Sequence, residues 1–476
     1  MAPAADAPPR YRQVADRIAA QIEKGTYRVG DAIPSVRDGR RLFQVSPGTL
    51  LAAYRRLEDR GYIRARPQSG YYVRARAALV PAPPPATPTA RSPRPIQVDL
   101  ALQMLARMAD PAMLQLGAAV PHASFLPTRA LNQRLARVVR HHAGAIHTYG
   151  PPAGLPALRA GLARWMADAG CTLRGEDIVV THGCTEAVNL CLRAVTRPGD
   201  TVAIESPTYY GLLIALKGLG LRALPIETSP VTGLSPEALR AAAARRRVAA
   251  VVCSPSFANP TGACMPLEAR RALAAWADET DTPVIEDDIY GELAFDDARP
   301  TPLIALSRRG TAVYCSSMSK TLSSGFRVGW CVPGRHLARV EELKAGGNPT
   351  SPIATHLALC DFLDHGGLRQ HLRRIRRQYR DQVDRFSDSV ARHFPGPVRL
   401  HRPAGGHLLW VELPPHCDAA ALFPRALAQR ITTAPGPIFS PTGGFTHHLR
   451  LNCAVPWSPK TERAIATLGR LLRDAD

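Results

Sequence analysis

Lysine is scarce in this chain. Among 60 Lys and Arg residues in 476, only Lys24, Lys217, Lys320, Lys344 and Lys460 are lysines. Arginine supplies the cationic surface, so a lysine amine in a special setting stands out. Paired cysteines are also absent: the 10 cysteines are scattered with no CxxC pair and no regular spacing. That excludes a disulfide framework and a structural zinc site, and points to a reducing cytoplasm. The His141–His142 and His447–His448 pairs have no acid or cysteine at ligand spacing, so no metal site is expected and the histidines read as surface residues. No apolar run approaches the ~18 residues of a membrane span. The opening stretch MAPAADAPPR has no apolar centre, so no secretory signal is expected. No internal repeat is evident.

What the chain does have is positive charge, a formal net +21, which favours an anionic partner, nucleic acid first. The surplus is densest at residues 10–76, with 15 basic and 6 acidic residues. Residues 77–97, AALVPAPPPATPTARSPRPIQ, hold seven prolines. Such a stretch cannot pack a core and reads as a semi-rigid linker. Four segments follow: a disordered tail 1–9, a small basic unit 10–76, the linker 77–97, and a large unit 98–476.

In the basic unit, YRQVADRIAAQIEKG sets Val14, Ile18 and Ile22 on one helical face and stops at Gly25. IPSVRDGRRLF suggests a second short helix. VSPGTLLAAYRRLEDRG suggests a third, with Ser46 as N-cap, Pro47 in the first turn, Gly61 as terminator, and Leu50, Tyr54 and Leu57 on one face. YIRARPQSGYYVRAR then reads as two short strands around a turn. Three helices and a basic hairpin make the winged helix-turn-helix order. The other reading of these residues is a basic helical unit for protein contacts. The whole of 10–76 resembles the GntR-type winged helix. That resemblance implies that Arg37, the Ser46–Thr49 turn including Gly48, and the wing with Arg66, Gln68 and Gly70 contact double-stranded DNA. Gly48 stands where a longer polar residue is common, so base reading is expected from Thr49, Arg37, the wing or DNA shape.

In the large unit, DIVVT (177–181), TVAIE (201–205), AAVVC (249–253), TPVIE (282–286) and TAVYC (311–315) alternate with alanine-rich helical segments. This pattern predicts an α/β domain with a mostly parallel central sheet. Ligands of such sheets bind beyond the carboxyl ends of the strands. There the five runs deliver THGCTEA, SPTYYG, SPSFANPTG, DDIY and SSMSKTLSSGFRVGW: a glycine-hydroxyl turn, aromatics, an asparagine, an acid with a tyrosine, and a lysine. Each type meets one need of pyridoxal 5'-phosphate (PLP). The aldehyde needs an amine, the ring nitrogen an acid, the ring face an aromatic, and the phosphate a helix N-terminus with an arginine. Lys217 and Lys344, in helical patterns without hydroxyl neighbours, read as ordinary helix-face lysines.

Residues 98–476 resemble the fold-type I aminotransferases. The resemblance makes Lys320 the Schiff-base lysine, Asp287 the partner of the ring nitrogen, and Tyr290 and Asn259 the partners of the phenolate oxygen. It makes Tyr209 the stacking ring, and Gly183, Cys184, Thr185, Ser317, Ser319 and Arg327 the phosphate site. Tyr149 matches the tyrosine that reaches the partner subunit's phosphate. Arg450 matches the arginine that grips a substrate carboxylate, and Gly117 the glycine facing substrate. Cys184 departs from the usual serine, which puts its side-chain role in doubt but not its backbone amide.

Winged helix, proline-rich linker and aminotransferase-like domain together resemble the MocR-type regulators. This implies a homodimeric, PLP-dependent DNA-binding transcription regulator that senses an amino compound or amino acid through Lys320. The alternatives are an active aminotransferase with an accessory winged helix, and a regulator whose PLP site is structural and senses nothing.

Overall fold

In the computed structural model, residues 9–28, 30–59, 62–66, 69–73, 89–90, 92–93, 96–107, 110, 112–296, 298–365 and 367–474 are described. They fall into two compact units divided between residues 79 and 80.

The smaller unit contains α1 (Arg10–Glu23), α2 (Val36–Phe43), α3 (Pro47–Asp59) and the antiparallel strands β1 (Ile63–Arg66) and β2 (Gly70–Val73). Ser35 and Ser46 cap α2 and α3, their hydroxyls accepting from Asp38 N (3.2 Å) and Thr49 N (3.1 Å). Val14, Ile18, Leu50, Tyr54 and Leu57 are buried together, and Ile22 is half-buried against them. Gly39 lets α2 lie directly on α3: a Cβ there would sit 2.6 Å from Tyr54 Oη and 2.7 Å from Leu50 Cδ2. Tyr54 Oη donates to Pro34 O at 2.6 Å, tying the core to the start of α2. This is the winged helix-turn-helix order expected from the sequence.

The larger unit is an α/β domain, as expected from the sequence. Its main sheet has eight strands. In spatial order they are Val179–Thr181, Gly329–Val332, Ala312–Ser317, Val284–Asp287, Ala250–Cys253, Thr201–Ser206, Arg222–Ser229 and Gly233–Leu234. The five from Ala312–Ser317 to Arg222–Ser229 run parallel, and pairings at both ends are antiparallel. All five expected strands are present. Arg222–Ser229 and Gly329–Val332 were not foreseen. The first carries Arg, Pro, Glu and Thr among its apolar residues, and the second follows a serine- and glycine-rich turn, so neither makes the long Val/Ile run used to find the others.

A second, four-stranded sheet orders Arg399–Leu400, Leu408–Glu412, His448–Asn452 and Ala434–Pro435, antiparallel throughout. Leu449 and Leu451 face its apolar core, and Arg450 and Asn452 therefore take the opposite face. Of the expected linker, residues 77–88 lie outside the described residues. Residues 91, 94 and 95 lie outside them too; Ala90 N donates to Pro225 O at 3.2 Å, and Ile96 and Val98 are buried, so Ala90, Ile96 and Val98 pack on the larger unit. No helix among the described residues is long and apolar enough to cross a membrane.

Candidate functional site

A cavity of about 220 Å³ opens where the sequence analysis put the strand ends. Its walls include Cys184, Thr185, Tyr209, Asn259, Asp287, Tyr290, Ser317, Ser319, Lys320 and Arg327. Ten of the expected cofactor residues are thus brought together from segments up to 143 positions apart, from 184 to 327.

Lys320 follows the strand Ala312–Ser317, and its Nζ donates to Ala119 O at 2.6 Å. Burial, then the Arg450 charge, bring its amine down to about 8. A depressed amine is a better nucleophile toward a carbonyl at neutral pH. Asp287 ends the neighbouring parallel strand, in register with Cys315. Burial raises its carboxyl to about 6, although the Cys184 thiol, donating to its Oδ1 at 3.2 Å, acts the other way. A carboxylate so placed is stabilised by a cation, and a protonated ring nitrogen is one. Tyr290 is buried, and burial pushes its hydroxyl above the ordinary phenol range. Tyr209 is half-buried, with its ring 4.8 Å from that of Tyr210.

The glycine-hydroxyl turn opens the helix Cys184–Val195. Gly183 has φ +85°, and a Cβ there would lie 2.5 Å from an Arg327 guanidinium nitrogen. Glycine alone lets that cation sit over the helix N-terminus, where first-turn amides and the helix dipole favour an anion. Arg327 donates to His182 O at 2.7 Å, and Ser319 N donates to Ser317 Oγ at 3.1 Å. A lysine amine, a half-buried acid, a tyrosine and an arginine at a helix N-terminus form the donor set that PLP needs. The residues fit the group.

Arg450 is fully buried. It donates to Asn259 Oδ1 at 3.0 Å and to Gly117 O, and lies 5.2 Å from the Phe439 ring centroid. Its Nε has no hydrogen-bond partner. Gly117 meets the Thr433 backbone closely and donates to Thr432 Oγ1 at 3.1 Å. Tyr149 stands apart from its own chain's cavity and is 90% exposed.

Several functional neighbours were not foreseen. Asn452, two residues past Arg450, accepts from His407 Nδ1 (3.0 Å) and Ala454 N (3.0 Å), and donates to Val120 O (3.0 Å) and Gln115 O (3.4 Å). It thereby ties the 115–120 segment to the Arg450 strand. His407 is fully buried between the rings of Tyr290 and Tyr379. With His356 and His371 also buried, the surface reading of the histidines holds for His141 and His142 but not for these. His447 and His448 are half-buried, the latter stacked on Trp410. Lys344 is not an exposed helix-face lysine either. It is fully buried, 3.6 Å from Glu186 Oε1 in the first turn of the helix Cys184–Val195, and donates to Asn348 O at 3.2 Å. Nothing in the spacing around these residues marks them; only folding brings their partners.

In the smaller unit Arg37, Ser46 and Gly48 are exposed and Thr49 is half-buried. A Cβ on Gly48 would meet only Ser46 Oγ at 3.9 Å, so packing does not require glycine there. Arg66 pairs with Gly70 at the hairpin end. Gln68, like Arg60 and Gly61, lies outside the described residues.

The chain matches the family described as "Aminotransferase class I and II" over residues 114–468 and "Bacterial regulatory proteins, gntR family" over residues 10–73. It is 36% identical to the HTH-type transcriptional regulator YjiR of Escherichia coli, over 97% of this chain and 98% of that one. The HTH-type pyridoxine biosynthesis transcriptional regulator PdxR of Corynebacterium glutamicum is 28% identical over 85% of this chain and 83% of its own. Among solved structures it resembles LysN, the α-aminoadipate aminotransferase of Thermus thermophilus, complexed with N-(5'-phosphopyridoxyl)-L-leucine. That match has a TM-score of 0.74 and 30% identity, and covers 80% of this chain and 96% of that one. The fold and such neighbours imply PLP binding. The chain belongs to the MocR-type regulators of the GntR family, a winged helix-turn-helix fused to an aminotransferase class I and II domain.

Proposed function

We propose that this protein is a cytoplasmic, PLP-dependent transcription regulator that binds promoter DNA as a homodimer and senses an amino compound through Lys320. The observation that carries the reading is the single cavity joining the depressed amine of Lys320 to Asp287, Tyr290 and Asn259, in a chain that also has a basic winged helix. When bound, PLP supplies an aldehyde for amine capture and a protonated ring that withdraws electrons.

The chain's own residues then divide the work. Lys320 would offer the aldehyde a partly neutral amine and hold or release a proton at its Nζ. Asp287 would pair with the ring nitrogen and favour its protonated form. Tyr290 and Asn259 would hold the phenolate oxygen, and Tyr209 would cover the ring and exclude water. The Gly183–Thr185 amides, Ser317, Ser319 and Arg327 would hold the phosphate, joined by Tyr149 of the opposite subunit. Arg450 orients a ligand carboxylate. On DNA, Arg37, the Ser46–Thr49 turn and the wing make backbone and groove contacts.

Effector binding changes DNA affinity by the difference in its binding energy to the two dimer states. The experiment titrates amines while recording the visible cofactor spectrum and promoter binding on one sample. Lys320→Ala is expected to lose the amine response and keep basal DNA binding. A normal response in that variant overturns the proposal. A second reading, a working aminotransferase, is favoured by the presence of Lys320, Asp287, Tyr290, Asn259 and Arg450 together. Enzyme-like turnover of an amino acid with 2-oxoglutarate, without any effect on promoter binding, selects it.

A further inference from the structure

The cavity's lining joins cofactor-type residues to apolar and aromatic ones. Leu105, Val120, Tyr209 and Tyr210 form the apolar and aromatic wall. Leu105 comes from the helix Asp99–Arg107 and packs in one cluster with Tyr209 and Tyr210. Val120 directly follows Ala119, whose carbonyl accepts from Lys320 Nζ, so this wall stands beside the reactive amine.

Among the described residues lining the cavity, only Asp287, Lys320 and Arg327 are ionisable as ions near neutrality. Each has an employment in the proposed function: ring nitrogen, aldehyde and phosphate. Arg450, which donates to the lining residue Asn259 at 3.0 Å, adds a further cation behind the lining, and its Nε lacks a hydrogen-bond partner. One guanidinium matches one carboxylate. A second carboxylate, or a second ammonium, would lie against Leu105, Val120 and Tyr210, and no described lining residue of this chain is left to serve as its counter-ion.

We infer that the cavity selects amines bearing one carboxylate and an uncharged, largely apolar side chain, and rejects dicarboxylates and diamines. This rests on the proposed amine-sensing function and deepens it.

The test uses the full-length protein loaded with PLP and three L-amino acids of matched chain length: norleucine, 2-aminoadipate and lysine. They end in a methyl, a carboxylate and an ammonium. The visible spectrum and promoter affinity are followed together. Norleucine is expected to bind at least about 100-fold more tightly than either charged analogue, the ratio expected when a charged group is left buried and unpaired. Val120→Arg adds a cation at a position that is 36% exposed, and is expected to shift preference toward 2-aminoadipate by about tenfold or more. Leu105→Arg is the second variant should the first fail to fold.

Binding of 2-aminoadipate or lysine within tenfold of norleucine overturns the selectivity while leaving amine sensing intact. Folded, PLP-loaded variants that keep the original preference overturn the assignment of the wall. A loaded protein whose spectrum ignores all three ligands overturns the amine-sensing function and this inference with it.

Discussion

Lys320 shows how much a single environment can do. Its amine, brought to about 8 by burial and Arg450, is neutral in roughly one molecule in ten at pH 7, against fewer than about one in a thousand for an ordinary lysine. The sign follows from the depressed value: the folded chain holds this proton less tightly than an unfolded one. The unfavourable charge is present below about pH 8 and fades as pH rises toward the ordinary lysine value. The rate of PLP capture, followed by visible absorbance, is therefore expected to climb about tenfold per pH unit below about pH 8 and to level above it. A rate still climbing at pH 10 means that the amine is unshifted. The sequence marked this lysine because hydroxyls surround it and lysine is rare. It could not supply the cause of the shift, since Arg450 lies 130 positions away.

At the scale of elements, strand alternation does the sorting. In His448–Asn452, Leu449 and Leu451 enter the core while Arg450 and Asn452 face the site. The LRLNCA motif made Arg450 legible through resemblance. Asn452 was missed because an asparagine two residues past an arginine has no spacing that signals four hydrogen-bond partners. Removing its amide leaves His407 Nδ1, Val120 O and Ala454 N without their partner. Asn452→Ala is expected to cost about 2 kcal/mol or more, read as a lower denaturant midpoint, because unpaired buried polar groups lose their full desolvation penalty. A midpoint unchanged from the parent chain means that the network carries no stability. Four of the five parallel strands were legible because buried parallel strands are continuous Val/Ile runs, and Arg222–Ser229 escaped notice because Arg, Pro, Glu and Thr interrupt its run. Gly329–Val332 was not legible either, since its pairing with both Ala312–Ser317 and Val179–Thr181 is a long-range fact.

For the whole molecule, Tyr149 is the most informative residue. A tyrosine 90% exposed on one chain contributes nothing to its own cavity, and the resemblance assigns it to the opposite subunit's phosphate. If the homodimer shares sites in this way, Tyr149→Ala and Lys320→Ala damage different halves of each site. Each variant alone is expected to bind PLP poorly or without a covalent label. In a mixed dimer, one site combines both lesions and the other has neither. Co-refolding the two is therefore expected to restore borohydride-trapped label on the Lys320 peptide to about half of the mixed dimers' sites. No label above that of either variant alone removes Tyr149 from the partner's site.

The local order of helices and caps in residues 10–73, the five Val/Ile-rich strands of the large unit, and the residue types at the strand ends were all determined by the sequence itself. They follow from neighbours within a few positions: periodicity, capping hydroxyls, and runs of branched apolar residues. The tertiary structure alone decided which groups meet. It sealed Arg450 against Asn259 and Gly117, buried Lys344 beside Glu186, set His407 between two tyrosines, and left an uncharged wall beside Lys320. Those outcomes depend on desolvation and on contacts between positions tens to hundreds of residues apart, and neither is encoded in any short stretch of chain.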